Sequence, residues 1–196
     1  MNLPGTVAIV LAGGKSSRMG MPKPWLRWGD EFLLQRIVRI VGEAVESVVI
    51  VTAKDSELPP LPDTVKIVVD AIPDCGPLGG LVTGLEHFGS EIESAILVAC
   101  DLPLIQPQFI QSLHLGECDA AVPRIDGRCH PLLAAYSPSC LAIARMQLQA
   151  GQYRMADFLE RLKVRELGLA DLPEIESLRT ANTPEEWQEL LKESRG

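Results

Sequence analysis

Short apolar runs, each closed by a glycine turn or an aspartate, punctuate the first half of the chain and predict buried strands. Residues 7–11 run into Ala12-Gly13-Gly14, and residues 48–51 are Val-Val-Ile-Val, β-branched throughout. Residues 65–69 end at Asp70, and residues 95–99 end at Cys100-Asp101. Between them the period changes: Phe32, Leu33, Ile37, Ile40 and Val41 fall at helical spacing, and residues 78–88 read as a second helix. Fully apolar strands alternating with helices predict a parallel sheet covered on both faces, so the fold class is α/β.

The second half is less regular. Residues 120–122 and 132–136 predict short strands, and residues 139–149 and 155–164 predict helices. A last helix is expected over 183–191, where Thr183 offers an N-cap hydroxyl, Pro184 suits the first helical position and Glu185-Glu186 suit the first turn. Pro59, Pro60 and Pro62 mark a surface loop rather than a boundary. With no internal repeat or low-complexity stretch, residues 1–196 are expected to form one domain.

Composition narrows the class. A chain of 196 residues, 46% hydrophobic and 22% charged, can bury a large core as a soluble protein without a disulfide or metal staple. No apolar stretch reaches the roughly 18 residues of a spanning helix. The N-terminus lacks a basic segment before its short apolar run, so it is not expected to be a signal peptide. A net charge of −8 argues against a broad basic surface for nucleic acid, while leaving room for a local pocket that holds one small anion. The cysteines at 75, 100, 118, 129 and 140 are odd in number and form no CxxC pair. A disulfide framework or zinc site is therefore not expected, and a reducing cytoplasm is.

In open α/β sheets ligands bind beyond the carboxyl ends of the strands. Three features fall there: the Gly13-Gly14 loop, Asp70 and Asp101. The loop continues Lys15-Ser16-Ser17-Arg18-Met19-Gly20-Met21-Pro22-Lys23, so that Lys15, Arg18 and Lys23 cluster in an acidic protein. Glycines let backbone N–H groups approach a phosphate, and Ser, Arg and Lys add donors and charge. Its spacing fits neither GxxxxGK[ST] nor GxGxxG, and an ordinary strand-to-helix turn with solvated basic residues is the alternative. Asp101, at the lip of an apolar strand, is either a Mg²⁺ ligand or a cap for the following helix. Asp70 is either its counterpart or a solvated turn residue before Ile72-Pro73.

These residues carry a resemblance. Leu11-Ala12-Gly13-Gly14-Lys15-Ser16-Ser17-Arg18-Met19-Gly20, followed by Lys23, resembles the loop LAGGxSxRMGxxK of the molybdenum cofactor guanylyltransferases. Gly76-Pro77-Leu78-Gly79-Gly80 resembles that family's GPLxG turn, and Cys100-Asp101-Leu102-Pro103 its CDxP motif. His130-Pro131-Leu132-Leu133-Ala134 resembles its HPxxA segment, and Asn182-Thr183-Pro184-Glu185 its closing NTPE.

The resemblance implies a Rossmann-like three-layer α/β sandwich of the nucleotide-diphospho-sugar transferase type. It also implies transfer of GMP from GTP to molybdenum-bound molybdopterin, with release of pyrophosphate. Carried over by residue, Leu11, Ala12, Gly13 and Gly14 meet the nucleotide. Lys23 and Arg18 bind the triphosphate, Asp70 helps hold the nucleoside, and Asp101 binds Mg²⁺ and the triphosphate. His130, Arg124, Arg128 and Arg154 are candidates for the molybdopterin side, and Asn182 is a turn residue before the last helix or faces the site. Molybdenum-insertion and client molybdoenzyme proteins are implied as partners, and neither nucleic acid nor membrane is.

The reaction that the resemblance implies needs no protein nucleophile, because in it the acceptor phosphate attacks the α-phosphate; charge neutralisation and positioning suffice. Two positions depart from the family pattern. Pro22 stands where the family often has Asp before the lysine, and Val51-Thr52-Ala53-Lys54 lacks the common base-contacting Asn. They leave open a related transferase that uses CTP, or one that acts on a sugar or polyol phosphate. A non-catalytic nucleotide-binding adaptor for cofactor delivery is the reading from a different class.

Overall fold

The computed structural model describes residues 3–13 and 19–193. In chain order the first half holds β1 (Thr6–Leu11), β2 (Arg27–Trp28), β3 (Glu31–Phe32), α1 (Leu33–Gly42), β4 (Ser47–Thr52), β5 (Lys66–Val69), α2 (Gly76–Phe88) and β6 (Ser94–Ala99). The second half holds α3 (Pro107–Gln111), β7 (Ala120–Ile125), β8 (Arg128–Cys129), β9 (Leu133–Tyr136), α4 (Cys140–Gln149), α5 (Met155–Leu159), β10 (Val164–Leu167) and α6 (Pro184–Glu193). Short 3₁₀ turns lie at Lys23–Trp25 and Ile175–Leu178.

The main sheet runs β10-β7-β9-β6-β1-β4-β5, with β8 paired to β7 alone. Its pairs are parallel except those of β9, which is antiparallel to β6 and β7, and the β7–β8 hairpin. Alternate side chains of the central strands build two cores. Ala8, Val10, Ile50, Ile96 and Val98 pack with α1, α3 and α6 on one face. Val7, Ile9, Val49, Val51 and Leu97 pack with α2, α4 and α5 on the other. The expected three-layer α/β architecture is the observed one.

Three expectations are corrected. Residues 65–69 were expected to form a buried strand, yet β5 is the terminal strand. It has a neighbour on one side only, and Ile67 and Val69 remain 53% and 52% exposed. The helix expected over 155–164 stops at Leu159. There Asp119 captures the chain: its carboxylate accepts the Lys163 amide at 2.8 Å and its own amide donates to Lys163 O at 2.8 Å, which aligns β10 beside β7. The strand expected over 120–122 continues to Ile125, because β8 turns back to pair with Arg124 and Ile125. Among the described residues no helix is long and apolar enough to cross a membrane.

Candidate active site

The chain leaves β1 for β4 and β5 on one side and then crosses through α2 to β6 on the other. Strand order therefore reverses between β1 and β6, which opens a crevice at their carboxyl ends. Several of the candidate residues converge on this edge. Cys100 N donates to Leu11 O at 3.2 Å, Ala12 N to Val51 O at 2.9 Å, and Asp70 N to Thr52 O at 2.7 Å. Helix α2 can lie close over β1 because of its glycines. A Cβ at Gly80 would stand 2.6 Å from Leu11 Cδ2, and one at Gly84 would stand 2.5 Å from Ile9 Cγ2.

Lys23 opens the turn Lys23–Trp25, flanked by Pro22 and Pro24, and Trp25 fastens that turn by donating its indole N–H to Glu57 O at 3.0 Å. The Lys23 ammonium donates to Asp101 Oδ2 at 2.9 Å and to Asn182 Oδ1 at 2.8 Å. The paired Lys23 and Asp101 side chains are 18% and 21% exposed, so the pair is recessed yet open to a ligand. Asp101 sits two residues past β6, and the loop behind it is held by Arg36 of α1, whose Nε donates to Pro103 O at 2.7 Å. Next to Asp101, burial and the aspartate's charge push the Cys100 thiol well above its ordinary range, so it is a packed thiol and no nucleophile.

Asn182 reaches Lys23 because of how α6 begins. Thr183 Oγ1 accepts the Glu186 amide at 3.2 Å, and Glu186 Oε2 accepts the Asn182 amide at 2.7 Å. Asp70, in turn, closes its own loop: its Oδ1 accepts from the Ile72 amide at 3.0 Å and from the Thr83 hydroxyl at 3.1 Å.

His130 lies on the connection between β8 and β9. Its amide donates to Pro123 O at 2.9 Å, and the buried Tyr136 hydroxyl holds the next residue by donating to Pro131 O at 2.8 Å. Leu132 O accepts the Ala99 amide at 2.9 Å, which ties this connection to the end of β6, just before Asp101. Burial, and then the charge of Arg128, lower the His130 pKa, so the imidazole is neutral at pH 7. Arg124 is occupied by Glu166 at 2.7 Å and by Gly127 O at 3.2 Å, whereas Arg128 is exposed on β8.

The structure thus brings Leu11, Ala12, Gly13, Lys23, Asp70 and Asp101 to one sheet edge, and Arg128 beside His130 on the adjoining connection. Arg154 lies on the α4–α5 connection, in the layer opposite α6. Gly14 and Arg18 lie outside the described residues. Sequence patterns do not single out Arg36 or Thr83. Thr83, 4% exposed, leaves one trace, a hydroxyl within the otherwise apolar stretch 78–85 of α2. Arg36 leaves none, since it reads as the polar face of α1.

Among the described residues no group of three or more His, Cys, Asp or Glu side chains could enclose a metal ion. Asp101 offers a single carboxylate at the crevice. That donor set suits Mg²⁺, which keeps water and substrate phosphates as ligands, and does not suit a metal that needs a protein cage.

Comparison with known proteins bears on the family and the fold. The MobA-like NTP transferase domain family matches residues 8–166. A relative from Flavobacterium johnsoniae, named "Probable molybdenum cofactor guanylyltransferase", is 32% identical over 78% of this chain and 80% of its own. One of the same name from Thermococcus sibiricus is 33% identical over 94% and 90%. The solved structure of molybdopterin-guanine dinucleotide biosynthesis protein A from Archaeoglobus fulgidus superposes with a TM-score of 0.81 at 23% identity, covering 96% of this chain and 98% of that one. The 2-C-methyl-D-erythritol 4-phosphate cytidylyltransferase of Thermus thermophilus shares the fold at a TM-score of 0.74 and 13% identity, over 100% of both chains.

Proposed function

Because the chain belongs to the MobA-like NTP transferase family and is a nucleotidyltransferase, we propose that it transfers GMP from GTP to molybdenum-bound molybdopterin, forming the guanine dinucleotide cofactor. The single observation that carries this reading is the recessed Lys23–Asp101 pair at the sheet's reversal point, 2.9 Å apart. The named relatives point to the same substrates.

In this reaction a terminal phosphate oxygen of the acceptor attacks the α-phosphorus of GTP in line. The new P–O bond forms as the bond from the α-phosphorus to its bridging oxygen breaks, and pyrophosphate leaves. Positioning and neutralisation of the phosphates are what such a transfer demands of the protein. The backbone from Leu11 to Gly14 holds the guanine nucleotide, and Asp70 helps hold the nucleoside. Lys23 and Arg18 bind the triphosphate. Asp101 is the Mg²⁺ ligand; when bound, the ion neutralises phosphate charge at the reacting centre. His130 and Arg128 face the acceptor, with Arg124 and Arg154 as further cationic candidates. On this reading residues 1–196 work as one cytoplasmic nucleotidyltransferase domain, whose product passes to molybdenum-insertion and client molybdoenzyme proteins.

The test is pyrophosphate release by the purified protein with Mg²⁺ and molybdenum-loaded molybdopterin, offering GTP, CTP and ATP separately. Turnover with GTP alone is expected. Turnover with CTP alone would overturn the base assignment and make Pro22 the informative residue. No turnover with any nucleotide, from folded protein that binds GTP, would overturn the proposed acceptor or the enzymatic role.

A further inference from the structure

The part of the chain that follows the family match at residues 8–166 returns to the candidate site. Two ties hold it there. Trp187 of α6 is buried against Trp28, edge to face, with ring centroids 5.3 Å apart. Asn182, at the head of the same helix, accepts from the Lys23 ammonium at 2.8 Å. Lys23 and Trp28 bracket a single short segment, so the two ties clamp that segment at both ends.

The Asn182 amide has a defined orientation. Its Nδ2 donates to Thr180 Oγ1 at 3.3 Å, which leaves the carbonyl oxygen as the end presented to Lys23. Its backbone amide is fixed by Glu186, so the residue is held from both sides. A lysine side chain surrenders rotamer entropy when it is fixed, and each added acceptor lowers what remains to be lost on binding a ligand.

The chemistry of the two acceptors differs. Asp101 neutralises the ammonium, and under the proposed function its carboxylate is wanted by the metal and the triphosphate. Asn182 is neutral: it can hold Lys23 in place without cancelling the charge that a phosphate needs. We propose that Asn182 is a positioning residue, which steadies the Lys23 ammonium while Asp101 turns to its ligands, and that it acts only through Lys23. This rests on the reading of Lys23 as the triphosphate-binding lysine.

The experiment measures GTP and inorganic pyrophosphate binding by calorimetry, with Mg²⁺, on the full chain and on Asn182→Ala, Asn182→Asp, Lys23→Ala and the Lys23→Ala/Asn182→Ala pair. A hydrogen bond to a charged group predicts about a tenfold loss for Asn182→Ala. Asn182→Asp keeps the shape and the acceptor but adds a negative charge, and should lose at least as much. The double variant should bind no more weakly than Lys23→Ala alone. Melting temperature and hydrogen exchange across α6 should stay near the parent values, which a merely structural role would not allow.

Additive losses in the double variant, or wild-type binding by either Asn182 variant while Lys23→Ala is impaired, would overturn the positioning role and leave Lys23's role standing. Unchanged binding by Lys23→Ala would overturn both.

Discussion

Lys23 and Asp101, separated by 78 positions in sequence, meet at 2.9 Å beyond the carboxyl end of β6. Both side chains keep about a fifth of their surface in water, so the pair stabilises the fold by no more than about 1 kcal/mol. Its place in the crevice therefore matters more for ligand binding than for folding.

Asp101→Asn tests that division. It keeps the shape and a hydrogen-bond acceptor for Lys23 but removes the charge. Turnover is expected to fall about 100-fold or more, as when one electrostatic stabiliser of the transition state is lost. The melting temperature should fall by no more than about 4 °C, the shift that about 1 kcal/mol makes in a domain of this size. Steady-state pyrophosphate release and a thermal melt suffice. Near-normal Mg²⁺-dependent activity in the folded variant would sink the metal-ligand assignment.

Asp70 depends on a residue outside every recognised motif. The Thr83 hydroxyl donates to Asp70 Oδ1 and accepts from the Ala71 amide at 3.2 Å. Thr83→Val keeps the volume and leaves both partners short of a bond, which costs roughly 1–3 kcal/mol. The KM for nucleotide is expected to rise, with kcat changed less, because the loop that presents Asp70 loosens. A urea titration beside a kinetic series separates the two effects. Unaltered KM in a clearly destabilised variant would assign Asp70 to the loop alone.

The same helix shows what its glycines are for. A Gly84→Ala change gains about 1 kcal/mol of helix propensity but drives a methyl onto Ile9, a fully buried side chain in the central strand. Overpacking costs roughly 1–3 kcal/mol, so net destabilisation is expected. Gly42, at the last position of α1, has open space around its would-be Cβ, and Gly42→Ala should stabilise by about 0.5–1 kcal/mol. Urea midpoints moving in opposite directions are the expected result, and equal shifts would refute the close-packing account.

Much of this is legible in the amino-acid sequence. The strand ends that carry Leu11 and Asp101 are marked by apolar runs halted at a glycine or an aspartate, because burial on both faces leaves no other pattern; the run before Asp70 is marked in the same way although β5 is an exposed terminal strand. Lys23 was legible through its loop. What stayed hidden depends on long-range contact. Val164 to Leu167 has no strand-like alternation and becomes β10 only because Asp119 and β7 capture it. The exposure of Ile67 and Val69 follows from β5 standing last in the sheet, which periodicity cannot report. Asn182 reads from sequence as a turn before a capped helix. That its amide meets Lys23 is set by where Trp187 docks.

His130 offers a pH signature. Burial disfavours its charged form first, and the nearby positive charge of Arg128 disfavours it further, so its pKa lies below 6.5. As the pH falls, the unfolded chain binds this proton before the folded one does. Stability rises with pH wherever the unfolded state binds more protons than the folded state, so this contribution is intact above about pH 6.5 and is lost as the pH drops through the folded-state value. NMR titration of the imidazole should give a midpoint below 6.5, moving upward in Arg128→Ala as one of its two causes is removed. A phosphorylated acceptor bound beside His130 should also raise it, since a neighbouring anion favours the imidazolium. A midpoint at or above 6.5 in the free protein would contradict the half-buried setting of His130. A midpoint unmoved by Arg128→Ala would show that burial alone sets it.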